Sequence, residues 1–357
     1  MDYIEAYCSN SSEESGQFSG IYELEDDYGA SYYFRGDIDY NYVKFGTWQT
    51  DLYQGFVDYQ YYELYSNLSD CESVTEDCTK IASEGDDMYW RIVRINGDGT
   101  IRMIYDGTRT YGKDNYYDYD AIRSIGKSPY NQDTDDNAYI GYMYGTPESD
   151  NYEDTHANIH NSTIKTYIDS WYEQNLKDTA NEAYIADSIF CNDRSVASED
   201  TIRFANTIMF DEEIYSTNAF GSNWAIYGAY GRDIDQFERM QGNKATFICP
   251  QKNDAFTVSD TYYGNGALTY PVGLITFDEV NAAGTDKQYG YNSYIGYFDG
   301  YWTMSPENIN DIIDIYDGFI TSGDNFYKSN VRPVINLKPN SLTSGDGTSE
   351  NPFQVSP

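Results

Sequence analysis

The sequence predicts a strand- and loop-rich α+β chain with few helices, and three observations carry that expectation. The first is the apolar inventory: 9 Leu stand against 40 Tyr, with 16 Phe and 5 Trp. Leu is a strong helix former, whereas aromatic residues fit pleated, half-buried surfaces. The second is a hairpin pattern in which the alternating segments 90–95 and 100–105 flank Asn96-Gly97-Asp98-Gly99. The third is distant from it, at 301–306 (YWTMSP) and 331–337 (VRPVINL), and reads with the hairpin as one barrel-like core.

Taken in order, residues 1–19 are Ser- and Glu-rich and read as an N-terminal extension. Strand character follows at 31–35 and 42–45, separated by a turn over 36–41. Residues 49–87 are acidic and Tyr-laden and read as an insertion before the main hairpin. The stretch 106–160 is irregular, dense in Asp, Asn, Tyr and Gly. One helix stands out after it: Asn161 or Ser162 caps it, and Ile164, Ile168, Trp171 and Asn175/Leu176 form one stripe. A strand over 272–275 leads into a shorter helix near 277–280. Residues 341–357 form a tail whose segment 351–355 reads as a closing edge strand. With no fixed-period repeat and no boundary after residue 20, residues 20–340 are expected to form a single domain.

The formal charge is −37, which repels nucleic acid and anionic lipid. Nucleic acid is therefore the least favoured partner. The acidity either favours cationic partners or Ca²⁺, or keeps an exported chain soluble. Cys71 and Cys78 bracket a short acidic loop and suit a local disulfide, while Cys191 and Cys249 can join two distant segments. Each bridge is worth about 3 kcal/mol through loop closure. Cys8 is left over, free or paired with another chain. Residues 1–20 hold no apolar run, so this chain carries no membrane segment there. The cysteines and the Tyr/Asp/Asn/Gly-rich composition place it outside the cell or at the cell surface, with an export segment or anchor removed.

Several stretches resemble an uncharacterised family of bacterial cell-surface domains, related to the C-type-lectin-like and formylglycine-generating-enzyme-like fold. They are 32–36 (YYFRG) with 42–45 (YVKF), the hairpin 90–105, 136–145 (DNAYIGYMYG), the helix from Ser162, 270–276 (YPVGLIT), 301–306 and 331–337. The resemblance implies a twisted antiparallel sheet with one or two flanking helices, long surface loops and export. Some proteins of this kind are fused to pilin-like anchors, which adds an appendage role.

Candidate chemistry is sparse. A formylglycine-generating activity would need a redox-active or copper-binding cysteine pair, and Cys191 and Cys249 lie in structural-looking surroundings. His156 and His160 sit at i, i+4 without the Glu of a zinc-protease motif, and read as surface or helix-entry residues. No catalytic residue is assigned and no cofactor is expected beyond Ca²⁺. For that ion, 133–137 offers Asp133, Asp135 and Asp136, and 114–120 is similar, although neither fits an EF-hand loop. The ligand-binding candidates are Asp299, Tyr301, Trp302, Asp324, Asn325 and Tyr327, because mixed aromatic and Asp/Asn side chains suit glycan or protein contact, although Trp302 reads first as a core residue beside Ser305-Pro306. Arg332 is expected to pair with a buried carboxylate. The leading expectation is a non-enzymatic extracellular recognition or adhesion module for a glycan or protein ligand. The alternative is a structural subunit of a filament, pilus or surface layer, with copies of itself as partners.

Overall fold

A computed structural model describes residues 19–58, 61–111, 122–209, 214–242, 244–285, 293–296, 300–316 and 319–355. Cys8, Asp299, the acidic run 114–120 and almost all of the N-terminal extension lie outside the described residues.

The chain opens with the hairpin β1 (Gly20–Asp26) and β2 (Gly29–Arg35), turned at Gly29 with φ 128°. After β3 (Tyr42–Thr47), the predicted insertion forms its own small sheet from β4 (Leu52–Asp58), β5 (Tyr61–Tyr65) and β6 (Cys78–Ala82), in the order β5-β4-β6. The Cys71–Cys78 disulfide ties its short helix Leu68–Glu72 to β6. Next comes the predicted hairpin, β7 (Asp87–Ile95) and β8 (Ile101–Gly107). One edge of β7 pairs with β8. Its other edge pairs with β3 near Arg91 and with β2 near Arg94. Register shifts at Tyr89/Trp90 and Ile92/Arg94 bend β7, since a bulge raises local twist. The sheet curls into a half-barrel.

Beyond β8 the chain makes β9 (Lys127–Pro129) and two minimal pairs: β10 (Met143–Tyr144) with β11 (His160–Asn161), and β12 (Phe190–Cys191) with β13 (Ala255–Phe256). The Cys191–Cys249 disulfide ties β12 to the segment that leads into β13. Then follow β14 (Tyr301–Pro306), β15 (Asp311–Tyr316), β16 (Phe319–Asp324) and β17 (Lys328–Asn330), which with β9 build a five-stranded sheet ordered β16-β15-β14-β17-β9. Finally β18 (Val334–Leu337) pairs with β8. The tail closes the first sheet as β19 (Leu342–Ser344) and β20 (Phe353–Val355), the latter parallel to β3.

As expected from sequence, segments 301–306 and 331–337 share one hydrophobic core with the 90–105 hairpin, although 301–306 lies in a second sheet with β15 as its antiparallel partner. One expectation needs correction: segment 272–275 is not a strand but a single bridge, Gly273 with Val334. There the backbone passes so close to Phe190 that a Cβ on Gly273 would lie 2.5 Å from its ring.

The helix Thr163–Asn175 is capped by Ser162 and buries Ile164, Ile168, Trp171 and Tyr172. Trp171 meets Trp90 and Tyr105 at 6.2 and 6.3 Å between ring centroids, and these aromatics join the two elements in one core. Among the described residues no helix is long and apolar enough to cross a membrane.

Charge is also buried. The helix Phe277–Ala282 starts with a capping box, in which Thr276 Oγ1 accepts from Glu279 N and the Glu279 carboxylate accepts from Thr276 N. That same carboxylate accepts from Arg94 Nε (2.9 Å) and Arg102 Nη2 (3.2 Å), and Arg94 also bonds Asp26 at 2.6 Å. Burial opposes charge on Glu279, but Arg102 and Arg94 outweigh it and hold the carboxyl below its ordinary value. Arg332 pairs with buried Asp106 at 2.8 Å, as expected from sequence, and donates to the carbonyls of Tyr105 and Ile295.

Candidate functional site: a polar groove beside the long helix

The residues singled out from sequence do not form one surface. Tyr301 and Trp302 lie on β14 inside the core, where Tyr301 donates to Ile295 O and Trp302 Nε1 to Ser128 O. Asn325 is buried as well, and its Nδ2 donates to Asp133 O and Tyr139 O. These three are structural, because β14 is the middle strand of its sheet and Asn325 supports the loop above it. Asp324 is half-buried and Tyr327 is 61 % exposed.

The Asp133, Asp135 and Asp136 side chains do not converge on a cation. Asp136 is buried and turns the loop, its two oxygens accepting from Ala138 N (2.8 Å) and Glu148 N (2.6 Å). Asp135 Oδ1 accepts from Asn310 Nδ2, and Asp133 faces solvent. Among the described residues, no three His, Cys, Asp or Glu side chains are grouped to hold a metal.

What the structure does bring together is a groove running along residues 131–136. Two clefts share Gln132 and Asp133. One, of about 830 Å³, is lined by Asp133, Asp135, Asp136, Glu148 and Asp150, with Tyr139 and Phe220. The other, of about 490 Å³, follows the long helix past Tyr144, Thr163, Thr166, Tyr167 and Ser170. The Tyr139 and Tyr144 rings meet edge-on, 5.5 Å apart, at the join. Burial, then the negative field of Asp133 and Asp136, raises the Tyr139 pKa. Burial raises that of Asp324 too, helped by Asp311 and Asp135.

The groove is rich in acceptors. On the helix side the hydroxyl protons already go to backbone carbonyls: Thr166 to Ser162 O, Ser170 to Thr166 O and Tyr167 to Ile125 O. Their lone pairs remain for a ligand. On the other side carboxylates accept and cannot donate when ionised.

Its walls are built from below. Asn137 Nδ2 donates to Gly221 O (2.7 Å) and Asn223 O (2.8 Å), while Tyr227 donates to Asn137 Oδ1 at 2.6 Å. Behind the same wall, His156 Nε2 lies 2.8 Å from Ala219 O. A carbonyl only accepts, so Nε2 carries the proton and Nδ1 is the bare nitrogen, buried with no hydrogen-bond partner among the described residues. His156 is therefore a latch inside the core rather than a surface residue, whereas His160 is exposed. Burial, reinforced by Arg194, lowers its pKa from 6.5 to about 3. The native state thus holds neutral His156 where the unfolded chain binds a proton. Its contribution to stability is complete above pH 6.5 and is lost as pH falls toward 3. The wild type should lose up to about 1.4 kcal/mol per pH unit more than His156→Phe across that window, measured by urea unfolding. Parallel pH profiles would remove His156 from the account.

No family model, curated protein or solved structure matches this chain.

Proposed function

We propose that the chain is a non-enzymatic, extracellular recognition or adhesion module of C-type-lectin-like build that binds a glycan in the groove along Gln132 and Asp133. The observation that carries this reading is the excess of acceptors, hydroxyl oxygens at one end and carboxylates at the other, around the Tyr139–Tyr144 pair. A glycan is the complementary ligand: it presents many O–H donors and has C–H faces that stack on aromatic rings. Two disulfides support an oxidising compartment. The loop-rich course between β8 and β14, pinned by two-residue strand pairs, supports the lectin-like assignment.

A glycan array probed with the intact protein tests this reading, followed by titration of the strongest hit. Asp133→Ala and Tyr144→Ala should each weaken that hit about tenfold, since each removes a hydrogen-bonding or stacking partner worth on the order of 1 kcal/mol. Both sit at the groove surface, so melting temperature should barely move. Equal affinity in both variants would take the groove out of the reading.

A further inference from the structure

A second surface shares no lining residue with the groove. Residues 257–266 leave β13 as a loop that is fixed from inside. The Asp187 carboxylate accepts from the backbone N–H groups of Val258 (2.7 Å), Ser259 (2.7 Å) and Asp260 (3.1 Å). Asp260 Oδ1 in turn accepts from Tyr262 N (2.8 Å) and Tyr263 N (3.1 Å). Thr257 Oγ1 donates to Asp260 O and accepts from Gly266 N. Gly264 passes so close that a Cβ there would lie 2.2 Å from Thr257 Oγ1, so the turn tolerates only glycine.

This fixed loop holds two aromatic rings out into solvent. Tyr262 is 80 % exposed and Tyr263 42 %. Their ring centroids are 4.6 Å apart, and Tyr263 also packs on Tyr28 at 4.8 Å. The loop's own hydrogen bonds thus fix the direction in which the exposed face of the Tyr262–Tyr263 pair points.

The surroundings select the partner's charge. The negative faces of the tyrosine rings attract cations. Burial, followed by the field of Asp98, Asp260 and Asp187, raises the Tyr28 pKa, which places three carboxylates around this cluster. Against them stands Lys252, whose ammonium donates to Thr261 O at 2.6 Å. The oxygens of Asp187 and Asp260 already take several backbone N–H groups, so these side chains offer a negative field more than free acceptors for sugar hydroxyls. We propose that the Tyr28–Tyr263–Tyr262 tip is a contact site for arginine side chains on a basic segment of a partner protein, with guanidinium planes over the exposed rings.

The test uses the intact chain and a peptide of alternating Arg and Gly, titrated calorimetrically at low and physiological salt. A chain of charge −37 attracts any polycation, so the informative variants leave charge unchanged. Tyr262→Ala/Tyr263→Ala should weaken the peptide about tenfold. Tyr262→Leu, which keeps an apolar side chain but no ring face, should also weaken it, and a Lys/Gly peptide should bind less tightly than the Arg/Gly one. Equal affinity of wild type and double variant would reduce the site to diffuse attraction and overturn the proposal. So would full binding by Tyr262→Leu. Loss of a neutral glycan from the double variant, with the Arg peptide unaffected, would overturn it in favour of a carbohydrate platform.

Discussion

Glu279→Ala is expected to lower the unfolding free energy by about 3–5 kcal/mol, read by urea or thermal unfolding at neutral pH. Among the described residues, Glu279 is the only carboxylate that bonds both Arg94 and Arg102, and all three side chains are almost wholly buried. Removing it leaves Arg102, among the described residues, with carbonyl acceptors at Ile189 and Leu274 but no counter-charge, and leaves Arg94 with Asp26 and the Ser31 hydroxyl. The helix Phe277–Ala282 loses half of its capping box at the same time. Glu279→Gln, which retains an oxygen for Thr276 N, should cost less. A loss under about 1 kcal/mol for Glu279→Ala would mean that the arginines find other partners or water.

Removal of the Cys191–Cys249 bridge by double serine substitution should cost about 4 kcal/mol, because it closes a separation of 58 residues. The Cys71–Cys78 bridge spans only 7, and its removal should cost about 2.5 kcal/mol. The two double variants should therefore melt in that order, the Cys191/Cys249 pair first. The reverse order would show that the insertion sheet, with its few strands, depends on its staple more than chain entropy implies.

Much of the frame was legible in the sequence because local signals and packing agree there. The 90–105 hairpin has alternating apolar residues around an Asn-Gly-Asp-Gly turn, and the long helix has both a Ser162 cap and a clean apolar stripe. Both disulfides follow from cysteine placement, and Arg332 found its carboxylate. The site was less legible. The pattern at 301–302 and 324–327 mixes aromatic and polar residues, as binding loops do. Yet Tyr301, Trp302 and Asn325 use their polar atoms on backbone groups brought from far along the chain, such as Ser128, Asp133 and Ile295. Sequence spacing does not reveal such long-range satisfaction.

The groove did leave one signal that a reading for apolar stripes passes over. Thr163, Thr166 and Ser170 recur at helical spacing on the face away from Ile164, Ile168 and Trp171, forming a hydroxyl stripe. His156 left none, since its role depends on the distant carbonyl of Ala219. The Tyr262–Tyr263 pair was hidden among 40 tyrosines, because the loop that presents it is ordered by Asp187, which lies far away in sequence.

Amide hydrogen exchange of the intact protein, with and without the tightest glycan from the array, tests whether the groove along Gln132 and Asp133 is the recognition site. Slowed exchange is expected at 131–136, 144 and 163–170, with 258–263 unchanged. Protection confined to another surface, with the groove exchanging at its free rate, would contradict it.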